Sequence, residues 1–597
     1  MIRPLSVAAV AILTAAPVNA QPAPIAPPAQ AITQVASTPT LPDLIRRYSE
    51  DESYISRFHR MEYSENRRER FEQYYIEWLE RLDTLAYDEL APTDRIDFHL
   101  LRTSARWSLD QLAAERRRLD AMAEVLPFRE AIQTLELARV RMDACDPPAA
   151  AQTLADISDK VKRTLDRVKD GRKKEGERTD TAIVLTPAVA QRAAGAVDEL
   201  SGTLDRWASS YEEFVPDFDW WTRKPREEAQ KQLRELSKEL REEVAGLKGK
   251  DEDPLVGDPI GREALLADIR GEMLAYTPEE LIAIGERELA WCEEQARKAA
   301  ASMGYEDWKL ALAKVKGAHV PPGEQAAFVR DEGRAMVKFL KDRDLITIPE
   351  LCEQSWRLEM HSPETQKTLP YAVYGGQYMG VSYAAGSMPH DVKLMAMRGN
   401  NRHFTHIVTP HELIPGHHLQ GFFAQREREY RRPFRTPFLV EGWALYWEFR
   451  LWDLGWAGAT GHDADMDRIG MLFWRMHRAA RIIVSLKYHL GDMTPQQMVD
   501  FLVERVGHEK SGATAEVRRY IGGHYSPLYQ CGYMIGGLQL RSLYRELVES
   551  GQLTDKQFND AVLLENSIPI ELIRASLKGE SLPKDWTPAW RFAESGQ

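Results

Sequence analysis

From about Pro42 to residue 350, apolar side chains recur every three or four positions. The stretches Asp43–Arg57, Arg67–Ala86, Pro92–Ala123, Pro148–Asp170, Pro187–Phe214 and Lys224–Lys248 each read as an amphipathic helix. Prolines and glycines punctuate the joins. Opposite charges in Arg223–Leu247 fall three or four residues apart, the pattern of a solvated helix face. The texture changes between Leu369 and Pro410. Tyr371–Tyr374, Val381–Tyr383 and Phe404–Thr409 are β-branched and aromatic, and Gly375-Gly376 and Gly399-Asn400 break them up. This predicts a small sheet just before a helix that begins near Pro410. Helical periodicity resumes beyond Phe438 and runs to the end, with a turn-rich break at Ile521–Pro527. The expected fold is mainly α, a large helical body with a small β-sheet.

The N-terminus departs from this pattern. Arg3, an apolar run from Leu5 to Ala16 and the small-residue segment Val18-Asn19-Ala20 read as a secretory signal peptide cleaved after Ala20. No cysteine follows the run, so the lipid-anchored form of the signal is not expected. Residues 21–41, rich in Pro, Ala and Gln, read as a flexible leader. The folded domain then spans 42–597, with an N-terminal helical half of about 42–350 and a second half of about 351–597. No later segment reaches about 18 uninterrupted apolar residues, so no membrane span is expected. The chain reads as a periplasmic or secreted protein.

With 43% hydrophobic and 28% charged residues, the composition is that of an ordinary globular protein. A net charge of −13 gives no basis for a nucleic-acid partner. Cys145, Cys292, Cys352 and Cys531 form no CxxC pair, which argues against a zinc ribbon or a disulfide framework. No Walker loop, GxGxxG fingerprint or GxSxG elbow stands in a supporting context, so no cofactor other than a metal is indicated.

Six of the fifteen histidines (His390, His403, His406, His411, His417 and His418) crowd into one short stretch. At its centre, His411-Glu412-Leu413-Ile414-Pro415-Gly416-His417-His418 begins like the HExxH zinc helix but has Pro415 in place of the second histidine. In an unbroken helix His418, seven residues on, would return to the face of His411. Pro415 lacks an N–H and pushes against the carbonyl of His411, so a kink or bulge is forced there. A two-residue bulge would make His417 the second ligand, with His418 as its rival. A catalytic zinc needs a third protein ligand. Glu441, in Leu439-Val440-Glu441-Gly442-Trp443-Ala444-Leu445-Tyr446, is far enough along for a second helix to run back beside the first, and Glu448, on the same face, is its rival. Glu412 would then be the general base, taking a proton from the metal-activated water and passing it to the leaving group.

The segments His411–Gln420, Glu441–Tyr446, Glu516–Tyr520 and Tyr533–Gly536 resemble the bacterial domain-of-unknown-function family 885. That family in turn looks like the helical zinc oligopeptidases and carboxypeptidases of the gluzincin class. The likeness implies a zincin-like body with a deep channel between two helical halves, one zinc per chain and hydrolysis of short peptides. The family's His-Glu carries over to His411-Glu412, its Gly-His to Gly416-His417 and its helix Glu to Glu441. Ser485 and Lys487 depart from the pattern, standing where Asp and Gly are expected.

A metallopeptidase also needs donors for the oxyanion at the scissile carbonyl. Tyr529 and Tyr533 are the candidates, by likeness to the tyrosine-rich segments of those peptidases, and His524 is a candidate substrate contact. Arg518 or Arg519 could take a terminal carboxylate. Gly386 and Gly375-Gly376 could let an extended substrate lie along a strand edge. The sequence therefore reads as an exported zinc metallopeptidase. A zinc amidase acting on a non-peptide acyl bond, or a non-catalytic peptide-binding protein of the same fold, are the alternatives.

Overall fold

The computed structural model describes residues 40–250, 253–523 and 525–593. The expected signal peptide and most of the leader lie outside them, as does His524. The first described helix, Leu41–Phe58, starts at the last residue of the expected leader.

Helix starts follow the sequence closely, because capping side chains and prolines sit where the backbone N–H groups would otherwise lack partners. Asp146 accepts from Ala149 N ahead of Pro147, and Thr186 accepts from Val189 N ahead of Pro187. Thr277 and Glu280 form a reciprocal capping box at Pro278–Ser302. The Arg223–Leu247 region is helical from Phe218 to Lys238 and passes into a π-helical turn over Glu239–Val244. Its charges face outward, while Ala229, Leu233, Leu236 and Leu240 are fully buried.

The core does not divide near residue 350. One continuous apolar cluster joins Leu41–Ala105 to Leu265–Phe592. A second core, including Phe128, Leu154, Val197, Trp207, Phe218 and Leu233, belongs to the helices between residues 122 and 245. Helix Ala464–Leu490 runs through the larger core and is buried on nearly every face. It packs against Pro278–Ser302, where Gly285 lets the two helices approach; a Cβ there would meet Ala479 O at 3.2 Å.

The small sheet has three strands: β1 (Arg357–Met360), β2 (Val373–Tyr374) and β3 (Tyr378–Val381), in the order β1-β3-β2. β1 runs parallel to β3 and β2 antiparallel to it, with Arg357 opposite Tyr378 and Val373 opposite Gly380. The expected strand at Phe404–Thr409 is instead helical, within Arg402–Glu412. Asn401 caps that helix by accepting from His403 N and Phe404 N, and the run is buried all round. Its β-branched, apolar character marks burial and not extension. The helix therefore begins eight residues before Pro410. The carbonyl of His406, which Pro410 cannot hydrogen-bond, accepts from the Trp456 indole N–H at 3.2 Å. Among the described residues no helix is long and apolar enough to cross a membrane, and all four cysteines are unpaired thiols.

Candidate functional site

The helix carrying His411 ends at Glu412, and a new helix, His417–Ala424, starts after four intervening residues. Pro415 thus breaks the helix outright where a bulge was expected. Gly416 is required at the break: a Cβ there would lie 1.8 Å from His411 O. Its N–H donates to Pro410 O at 2.9 Å, and the Trp443 indole donates to Pro415 O at 2.8 Å, fixing the turn against helix Pro437–Asp453.

That turn decides between the two candidate histidines. His417 Nε2 lies 3.2 Å from Glu441 Oε2, and His411 Nε2 lies 3.8 Å from the same oxygen. His418 turns away, with Nε2 2.9 Å from Cys352 O and Nδ1 3.2 Å from the Tyr374 hydroxyl. Glu448 is not one of the converging side chains. It sits behind His411, with Oε1 2.7 Å from Nδ1, and so directs Nε2 toward Glu441.

One ligand-type atom from each of His411, His417 and Glu441 falls within 4.8 Å of the others. Glu441 Oε2 is buried and has no hydrogen bond among the described residues, while its Oε1 accepts from the Tyr529 hydroxyl. Two imidazole nitrogens and an orphaned carboxylate oxygen facing one point fit a divalent metal such as zinc.

The electrostatics are those of a strongly coupled cluster. Burial opposes charge on His411, yet its bonds to Glu441 and Glu448 lift its pKa to about 9. Burial also works against ionised Glu441, but His417 and His411 hold its carboxyl well below the usual range. Glu412 moves the other way: burial raises its pKa, against the pull of His411, His417 and Arg478. A carboxylate made more basic beside the histidines is suited to accepting a proton.

His411, Glu412, His417 and Glu441 line a cavity of about 620 Å³. Helix Tyr529–Tyr544 adds Tyr529 and Tyr533 to its wall. This helix lies against the Glu441 helix through glycines, since a Cβ on Gly442 would be 2.6 Å from Gly536 Cα. The close approach lets Tyr529 reach Glu441, and the Tyr533 ring stacks 6.4 Å from that of His411. Tyr529, expected as an oxyanion donor, is thus placed as a positioning partner of Glu441.

Other expected residues fall elsewhere. Arg518 is exposed and points to Asp253 O, and Gly386, whose carbonyl accepts from Lys393, is likewise outside the lining. Tyr374 and Gly376, at the β2 edge, do line the cavity, as does Arg519. Arg478 lines it too and was not anticipated. Its signal lies in the sequence, in arginines at 475, 478 and 481 inside an otherwise apolar helix.

Two of the remaining clustered histidines are buried with other partners, and His390 is exposed. His403 pairs with Asp467 at 2.7 Å and His406 with Glu332 at 2.6 Å, beside His462.

The overall fold recurs in solved structures. The structure matches a presumed lipoprotein of unknown function from Shewanella oneidensis with a TM-score of 0.62 and 17% identity, covering 90% of this chain and 100% of the other. It also matches a presumed lipoprotein from Colwellia psychrerythraea with a TM-score of 0.55 and 14% identity, covering 90% and 98%. No curated protein matches the sequence. The family model described as a bacterial protein of unknown function, DUF885, matches residues 56–577, and the chain belongs to that family.

Proposed function

We propose that this chain is an exported zinc-dependent metallopeptidase that hydrolyses short peptides at the His411–His417–Glu441 site. The observation that carries the reading is the convergence of those three side chains, with both imidazole nitrogens facing a Glu441 Oε2 that makes no hydrogen bond among the described residues, on the wall of a cavity that also holds Glu412. A zinc ion held there supplies Lewis acidity toward a carbonyl oxygen and makes water acidic near neutral pH.

The chain's own residues do the rest. Glu412 accepts a proton from the attacking water and returns it to the departing amine, a task its raised basicity favours. Glu448 holds the His411 ring in the tautomer with Nδ1–H, and Tyr529 holds Glu441. Tyr533, buried and facing the cavity, is left as the donor to the developing oxyanion. The two structural neighbours are presumed lipoproteins, in keeping with export directed by the signal-like N-terminus.

Elemental analysis of the purified protein beside His411→Ala and Glu441→Ala tests the site, and a panel of free peptides, blocked peptides and N-acyl amino acids tests the reaction. About one zinc per chain, lost in both variants, and peptide hydrolysis lost in Glu412→Gln with zinc retained, are expected. Metal binding without activity on any peptide would overturn the peptidase reading.

A further inference from the structure

Part of the cavity wall is cationic. Helix Ala464–Leu490 contributes Arg478 and Arg481, and helix Lys510–Ile521 contributes Arg519. Two of the three share one carboxylate, which leaves that group with a net positive charge. Arg481 Nη2 lies 2.9 Å from Glu516 Oε2, and Arg519 Nη1 lies 3.5 Å from Glu516 Oε1. Burial works against ionised Glu516, yet Arg519 and Arg481 lower its pKa to about 2.

Arg478 is different. It is only 6% exposed, its Nε has no hydrogen-bond partner, and it forms no ion pair among the described residues. Its contacts are with ring faces, 4.5 Å from the Tyr533 centroid and 5.1 Å from Trp474. Glu412 lies near enough to feel its charge but does not pair with it, and a buried guanidinium with no ion-paired carboxylate is unfavourable. It becomes favourable when a carboxylate enters and engages the planar fork.

Resting on the peptidase reading of this same site, we propose that Arg478 binds a carboxylate of the substrate and so restricts the enzyme to peptides bearing that charge close to the cleaved bond. The distance follows from Tyr533. Its ring lies 6.4 Å from that of His411 and 4.5 Å from Arg478. These two steps together span no more than about three extended residues at ~3.5 Å each. The carboxylate is therefore the C-terminus of a short product or an acidic side chain beside the scissile bond. A site of this kind discriminates sharply, since a neutral amide leaves the buried arginine unpaired. Of the two residues expected from sequence for this task, Arg518 lies outside the cavity and Arg519 already has Glu516 as its partner.

The test is calorimetric binding to the zinc-loaded Glu412→Gln protein, which needs no turnover. Three probes are compared: Ala-Ala-Ala with a free C-terminus, its C-terminal amide, and Ala-Ala-Glu amide. We expect the free acid to bind at least tenfold more tightly than the Ala-Ala-Ala amide. Adding Arg478→Gln should remove that preference, and adding Arg478→Lys should restore part of it, with zinc content unchanged. Tighter binding of the glutamyl amide than of the alanyl amide would identify an acidic side chain as the source of the charge. Tightening seen with the free acid alone would identify the C-terminus. Equal binding of all three probes, or a tenfold preference that survives Arg478→Gln, would overturn the proposal. Active wild-type enzyme with equal kcat/KM on all three peptides would also overturn it while leaving the peptidase reading intact.

Discussion

Replacing Glu448 with glutamine separates a ligand from the residue that aims a ligand. Glu448 Oε1 lies 2.7 Å from His411 Nδ1, and both side chains are buried. The substitution keeps shape and volume but removes the charge that makes the imidazole a stronger donor to a metal. Loss of such a partner costs about 10–100-fold in metal affinity, or about 1.4–2.8 kcal/mol. The glutamine amide would also inherit the place of Glu448 Oε2, which has no partner. An unsatisfied donor there costs about 1–3 kcal/mol of folding stability. Glu441→Gln removes a ligand itself. Sharing the ~10–16 kcal/mol of a four-ligand zinc site among its ligands gives roughly 2.5–4 kcal/mol each, or on the order of a hundred- to a thousand-fold. Competition with a chromophoric zinc chelator at neutral pH measures both variants on one scale, and urea unfolding of the metal-free proteins reports the stability cost separately. If Glu448→Gln loses more zinc affinity than Glu441→Gln, the two glutamates have been assigned the wrong roles. If it stays within twofold of wild type, the orienting bond contributes nothing.

Three further outcomes are expected. Gly442→Ala places a methyl 2.6 Å from Gly536 Cα, so the Glu441 and Tyr529 helices must move apart at a cost of about 1–3 kcal/mol. Urea unfolding and zinc affinity should both weaken, whereas Gly195→Ala, which meets no atom within 4 Å on an exposed helix face, should be neutral or stabilising by up to ~1 kcal/mol. Burial lowers the pKa of His489 to about 4 and of His99 to about 3. Both imidazoles are neutral in the folded chain, so their contribution is complete above the ordinary value of 6.5 and is lost as the pH falls toward 4. Urea midpoints from pH 7 to pH 5 should reveal about 2 kcal/mol of lost stability for each, and His99→Gln should flatten the profile. Asp97→Ala should cost about 3–5 kcal/mol in the same assay, because it strips one of two carboxylates from the fully buried Arg431, 2.7 Å away.

The division between what the chain spells out and what folding adds is visible residue by residue. The helix start at Pro187 was legible, and the one at Pro147 was legible to within one residue, because capping is a local bargain between a side chain and the next three N–H groups. His411, Glu412, His417 and Glu441 were legible because donor types and spacing are written in the chain, and Pro415 forbids an unbroken helix by its own covalent structure. The choice of His417 over His418 followed from how the Pro415–Gly416 turn seats against Trp443, a contact made 28 residues downstream. Phe404–Thr409 misled because a fully buried helix and a strand share the same apolar, β-branched vocabulary, and only the surroundings distinguish them. The roles of Glu448 and Tyr529, the position of Arg518 outside the cavity and the unpaired charge of Arg478 arose only from packing. Sequence determines which groups are available and which local turns are allowed. Which group faces which depends on contacts between segments far apart in the chain, and those contacts are made only when the helices close over a shared core.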